Sequence, residues 1–255
     1  MNASRETVTL VTGGGSGIGA ALCRRLAAPG RILFVHTGTR SAAAEAVCRE
    51  LEQRGAAAYP VVADFARDPR SAGSLVKEVE QRCGRLDQLV HMAGYAERRR
   101  IGVLDEAGFE DSLATILRSF FHLATAALPL LRASGNGRVV AAGSFVAHAF
   151  RFEQDLLFPA TAAAKGGLLA MTRALAAQLA PDRVTVNCVA PGCIHKEAGA
   201  HMSTNEAAKQ RLTALIPLGR YGERDEVAAT IEFLLSQSAG YITGQCIHVD
   251  GGITL

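Results

Sequence analysis

The chain has 255 residues, 49% of them hydrophobic and 20% charged, with a formal net charge of +3. That length suits one large domain better than two small ones for an α/β protein, and the apolar content is too high for disorder. The charge is spread along the chain and leaves no basic arm for nucleic acid.

The first element is the run Val8-Thr9-Leu10-Val11-Thr12, which stops at a cluster of glycines. Ile18, Ala21, Leu22 and Leu26 then repeat at helical spacing. A buried strand therefore turns through Gly13, Gly15, Ser16, Gly17, Ile18 and Gly19 into a helix, whose first N–H groups and dipole make an anion site. Glycine is needed because a side chain would block the approach of a pyrophosphate. The competing reading is an ordinary glycine-rich turn. Pro29-Gly30 breaks the helix, Ile32-Leu33-Phe34-Val35 is a second strand, and Ala43, Val47 and Leu51 mark a helix closed by Gly55. A third strand ends at Val61-Val62-Ala63, and Pro60 within it predicts a sheet edge.

Leu75, Val76 and Val79 give a third helix. Strands are expected over 86–92, 138–142, 184–190 and 247–250, and helices over 109–131, 160–180 and 225–235. The segment 196–221 is poor in strand signals and reads as a mobile substrate lid. Strand and helix alternate throughout. The expectation is a single-domain, doubly wound Rossmann α/β fold, with a seven-stranded, mostly parallel sheet covered on both faces and ligands at the carboxyl ends of the strands.

The cysteines Cys23, Cys48, Cys83, Cys188, Cys193 and Cys246 lie far apart, with no C-x-x-C pair and no histidine cluster. Reduced, mostly buried thiols are expected, with no disulfide and no metal site. The polar start from Met1 to Thr7 does not read as a signal peptide, and the long apolar runs carry charges or helix breakers. A cytoplasmic protein without a membrane partner is expected.

Thr12-Gly13-x-x-x-Gly17-Ile18-Gly19 resembles the first-strand signature of the short-chain dehydrogenase/reductase family. Asn187-Cys188-Val189-Ala190-Pro191-Gly192, Tyr241-Ile242-Thr243-Gly244-Gln245 and Val249-Asp250-Gly251-Gly252 resemble later marks of that family, so the likeness spans essentially the whole chain. It implies a nicotinamide cofactor, a small-molecule carbonyl or alcohol substrate, and a homodimer or homotetramer paired through the long helices. The acidic residue that would hold an NAD ribose is absent where the second strand ends: Thr37 takes its place, and Thr39 and Arg40 could bind a 2′-phosphate. NADP is therefore expected over NAD, the alternative being that Arg40 is a solvated loop residue. Asp64, with Phe65 beside it, matches the adenine contact. Ala93 and Gly94 match the small residues against the cofactor, preceded by His91-Met92 where the family has two asparagines. Pro191, Gly192 and Ile194 are expected to flank the nicotinamide. Lys196 stands where a threonine is usual.

The family's catalytic set is a serine, a tyrosine, a lysine and an asparagine. Ser144 matches the serine and Lys165 the lysine, but the tyrosine position carries Thr161 and the asparagine position Ile116. Threonine's hydroxyl does not ionise usefully, whereas tyrosine's, near pKa 10, can be lowered by an ammonium. His148, on a long segment between Ser144 and Thr161 that also carries Phe150, Phe152, Glu153, Asp155, Leu156, Leu157 and Phe158, is the first candidate for a replacement acid, and Tyr95 the second. The apolar residues of that segment hint at an apolar substrate. Each residue has a plainer reading: Ser144 as a turn former, Thr161 as a helix start, His148 as a loop histidine, Arg98-Arg99-Arg100 as a solvated face. Two functions remain open, an NADP-dependent oxidoreductase with altered proton transfer and a catalytically weak or inactive nucleotide-binding protein.

Overall fold

The computed structural model describes residues 6–150, 157–196 and 206–255. Seven strands form one parallel sheet in the order β3-β2-β1-β4-β5-β6-β7. They are β1 (Thr7–Thr12), β2 (Arg31–Thr37), β3 (Ala57–Val62), β4 (Gln88–His91), β5 (Arg138–Ala142), β6 (Thr185–Pro191) and β7 (Cys246–Val249). All six pairings are parallel. The order reverses between β1 and β4, and the strand ends there open the crevice in which such sheets bind ligands. Pro60 sits in β3, an edge strand, where its missing N–H costs no ladder bond.

Alternation along β1 sends Val8 and Leu10 to one face of the sheet and Val11 to the other. On the first face they meet α3 (Ser71–Cys83), α5 (Ser119–Ser134) and α6 (Pro159–Leu179), through Val76, Phe120, Leu123 and Leu168. On the second they meet α1 (Gly17–Leu26), α2 (Ser41–Gln53) and α8 (Arg224–Leu235), through Leu22, Leu51 and Ile231. Burial on both faces is why the strands read as unbroken apolar runs.

One expectation needs correction. The helix expected over 109–131 begins earlier, at α4 (Glu106–Ser112), where Asp105 caps it by accepting from the Gly108 N–H at 2.8 Å. It then widens into a π-helical turn, Leu113–Arg118, before continuing as α5. Taken together, Glu106–Ser134 is long and apolar enough to cross a membrane by length and composition alone; in the fold its Phe120, Leu123 and Leu131 are buried on the sheet. The segment read as a lid contains α7 (Glu206–Ala214) and no named strand among its described residues, and residues 197–205 lie outside the described part.

Candidate active site

The glycine turn after β1 is shaped by backbone approach. A Cβ on Gly19 would stand 2.2 Å from the Gly13 carbonyl oxygen, and one on Gly13 about 3.0 Å from the Met92 backbone. Gly13 and Gly17 also hold φ at +68° and +57°, which favours glycine. Sequence reading passed over what holds this turn from below. The His36 ring Nδ1 accepts from the Gly13 N–H at 3.2 Å, and its Nε2–H donates to the Ala63 carbonyl at 2.9 Å, so one ring ties β1 to the end of β3. It stacks on Phe65 with centroids 4.4 Å apart. Burial pushes the His36 pKa down to about 4, which keeps Nδ1 free to accept.

A second buried chain of hydrogen bonds lies under the ends of β1 and β4. The N–H groups of Met92 and Ala93 donate to Thr12 Oγ1 at 3.1 and 3.2 Å. Thr12 in turn meets His91 Nδ1 at 3.0 Å, and His91 Nε2 meets the Ile116 carbonyl at 2.9 Å. That carbonyl belongs to the π-helical turn, so His91 fixes the turn against the sheet. Burial, helped by the Lys165 charge, pushes the His91 pKa down to about 3.

Above these networks is a cleft of about 580 Å³. It collects Gly13, Gly15, Ser16, Gly17, Ile18 and Gly19 from the turn, Thr37, Thr39 and Arg40 after β2, and Asp64 and Phe65 after β3. Ala93 and Gly94, Ser144, Thr161, Lys165 and Pro191 line it as well. Gly192 and Ile194 border an adjoining lobe together with Arg98, Lys196 and Tyr221. The run Arg98-Arg99-Arg100 therefore divides. Arg99 is bound to Glu97 and Asp105 at 2.8 and 2.9 Å, while Arg98 faces the lobe and its charge, after burial, depresses the Lys196 pKa.

Lys165 is buried, and its Nζ donates to the Ala142 carbonyl at 2.6 Å. Loss of water pushes its pKa down to about 8. Thr161 lies one turn earlier on α6, also buried, and its hydroxyl accepts from the Glu97 N–H at 3.0 Å. Ser144 Oγ accepts from the Val146 N–H at 3.4 Å. The expectation for His148 is overturned: it does not line the cleft but turns toward β7, with Nε2 3.6 Å from Cys246 Sγ and its ring against His248. Cys246 is thus not the isolated thiol its spacing suggested. Of the apolar segment, Phe158 reaches the lobe, while Phe150 and Leu157 line a separate hollow against α6. Phe152, Glu153, Asp155 and Leu156 lie outside the described residues. Tyr95 does line the cleft, and burial raises its pKa above the usual phenol value.

The cleft fits a dinucleotide. Glycines occupy the points where a Cβ would meet backbone, and Thr115 Oγ1, on the cleft wall, is buried without a hydrogen-bond partner. Comparison with known proteins gives the family. Residues 13–254 match the family described as enoyl-(acyl carrier protein) reductase. The chain is 33% identical over 244 residues, 96% of each chain, to a 3-oxoacyl-(acyl-carrier-protein) reductase FabG of Staphylococcus aureus. It is 32% identical over 248 residues, 97% of this chain and 98% of the other, to nodulation protein G of Azospirillum brasilense. A short-chain dehydrogenase/reductase from Serratia marcescens superposes with a TM-score of 0.89 at 31% identity, covering 98% and 99% of the two chains. This chain belongs to the short-chain dehydrogenase/reductase family. It is an oxidoreductase of that type.

Proposed function

We propose that the protein is an NADP-dependent oxidoreductase acting on a carbonyl or its alcohol, with Thr161 and Ile116 at the positions where the family carries tyrosine and asparagine. The observation that carries this is a single cleft in which the glycine turn, a β2 end without a carboxylate, and the pair Ser144 and Lys165 all meet. The N–H groups of the turn hold the pyrophosphate at the start of α1. Thr37, Thr39 and Arg40 bind the 2′-phosphate, Arg40 by charge-assisted hydrogen bonds. Asp64 and Phe65 border the adenine, Ala93 and Gly94 let the backbone approach the ribose, and Pro191, Gly192 and Ile194 flank the nicotinamide.

The bound nucleotide supplies or accepts hydride. The chain's own groups orient the substrate and hold its proton. Ser144 donates to the carbonyl oxygen, and the Lys165 ammonium holds the ribose. With its oxygen accepting from the Glu97 N–H, the Thr161 hydroxyl has its hydrogen to offer as a hydrogen bond to the substrate oxygen, without ionising. Among the described cleft residues, Lys165 has the pKa nearest neutrality, so the proton stock rests with it rather than with an ionising phenol. The crowded cations Arg98 and Lys196 favour a substrate with an anionic group at the lobe. The relatives' names make 3-oxoacyl thioesters the first substrates to try. A cytoplasmic homodimer or homotetramer is the expected assembly.

Calorimetry with NADPH and NADH, followed by turnover across a panel of carbonyl compounds, tests the reading. NADPH is expected to bind more tightly, and Arg40→Ala to weaken NADPH by about 10–100-fold, the worth of a charge-assisted contact, while leaving NADH unchanged. Tighter NADH binding by the unaltered protein would sink the cofactor assignment. Binding without turnover on any carbonyl would leave a nucleotide-binding protein.

A further inference from the structure

On the far side of β6 from the glycine turn, the short turn after β5 meets the last strand of the sheet. Cys246 and His248 are two residues apart on β7, so their side chains leave the same side of the strand. His148 comes from the helical turn that begins at Phe145. Its Nε2 is 3.6 Å from Cys246 Sγ, and its ring meets the His248 ring edge-on with centroids 4.4 Å apart. One ligand atom from each of the three residues lies within 4.8 Å of the other two.

We propose that His148, Cys246 and His248 bind one zinc-type divalent cation, with three side-chain ligands and the fourth position left to water. Tetrahedral zinc with bonds of about 2.3 Å to sulfur and 2.0–2.1 Å to nitrogen holds those two ligand atoms about 3.6 Å apart. His148 and Cys246 already stand at that separation. His248, whose side chain is 30% exposed, has room to close the third edge.

The surroundings are those of a ligand set. His248 Nδ1 lies 3.3 Å from Asp250 Oδ2 and 3.0 Å from Thr254 Oγ1, so Nε2 is the nitrogen assigned to the metal, and the imidazole has the carboxylate backing common behind zinc-bound histidines. Cys188 is paired directly with Cys246 across the β6–β7 ladder, so a second sulfur-bearing residue lies in register beside the site. One thiolate and two imidazoles are borderline-soft donors, which suit zinc and exclude magnesium or calcium. The Cys246 thiolate and Asp250 would together balance a divalent charge, and Arg173 would remain as one positive charge nearby. A bound ion would clip the turn that starts beside Ser144 to the last strand, steadying one wall of the cleft without touching the nucleotide. The proposal is independent of the cofactor and substrate assignments above.

Titration of the metal-free protein with Co²⁺ tests it. One cobalt per chain is expected, with a thiolate-to-metal charge-transfer band and the intense visible bands of tetrahedral cobalt, both displaced by Zn²⁺. Cys246→Ser should abolish the charge-transfer band, and His248→Ala and His148→Gln should each weaken binding at least about 10-fold. Unchanged circular dichroism and nucleotide binding in the variants show that they fold. Cobalt bound without the charge-transfer band, or bound equally well by Cys246→Ser, overturns the proposal.

Discussion

Burial strips water from the Lys165 ammonium, and the Ala142 carbonyl at 2.6 Å replaces only part of it. The charged form is therefore lost as pH rises through about 8, well below lysine's usual range. If that charge holds the ribose, nucleotide affinity should weaken across pH 7 to 9, and Lys165→Arg, charged throughout, should flatten the profile. Calorimetric Kd values over that range decide it. Thr161 presents the complementary experiment. An added phenol beside a cation of low pKa regains an ionisable acid, so Thr161→Tyr should raise kcat about 10²–10⁴-fold with little change in KM. No gain would mean that proton supply does not limit turnover. Ser144 and Lys165 could be singled out in the sequence because the motifs around them are local, and the fold brings both to the cleft. The misplacement of His148 has the opposite origin. Only the fold reveals that its partners lie 98 and 100 residues ahead, and no spacing rule joins His148 to Cys246.

Among elements, the glycine turn separates two kinds of constraint. At Gly19 an added Cβ meets the Gly13 carbonyl oxygen at 2.2 Å, a backbone atom that cannot step aside. At Gly17 nothing lies within 4 Å, and only the φ of +57° resists substitution. Gly19→Ala should therefore cost about 1–3 kcal/mol and most of the nucleotide affinity, whereas Gly17→Ala should cost about 1–2 kcal/mol through strain alone. Thermal midpoints and NADPH titrations of the two variants distinguish these outcomes. The strand-turn-helix was readable because three signals coincide there: a β-branched run, glycines and a helical repeat. The π-helical turn was not, since hydrophobic spacing over 109–131 fits an ordinary helix and the bond that meets the turn, from His91 to the Ile116 carbonyl, comes from another element.

For the whole molecule, two imidazoles are held neutral beneath the cleft. In the unfolded chain each protonates near pH 6.5; in the fold His36 waits until about 4 and His91 until about 3. Unfolded chains thus bind more protons in that window, and stability falls as pH drops from about 6.5 toward 4. The two together contribute a slope of up to about 2.7 kcal/mol per pH unit. Unfolding free energies from urea titrations at pH 7, 6 and 5 should show the fall, and His91→Asn, which keeps a donor and an acceptor but does not titrate, should make it shallower. A slope unchanged in that variant would mean that His91 is already charged in the native protein. The parallel sheet itself was legible from alternation and composition. These buried networks were not, because His36 and His91 look like any strand-end residues until β1, β3 and the helix over the sheet close around them.

The widened turn at Leu113–Arg118 carries one more residue than an α-helix would need there. Each residue of an α-helix advances the chain by about 100°, so the insertion sets α5 out of phase with α4 by that angle. Removing a single residue, such as Thr115, would let the rod run straight and restore an even ladder along its length. It would also swing Phe120 and Leu123 off the sheet and draw the Ile116 carbonyl away from His91. The irregularity that an isolated helix would shed is what brings the start and the end of this one into register with the same protein.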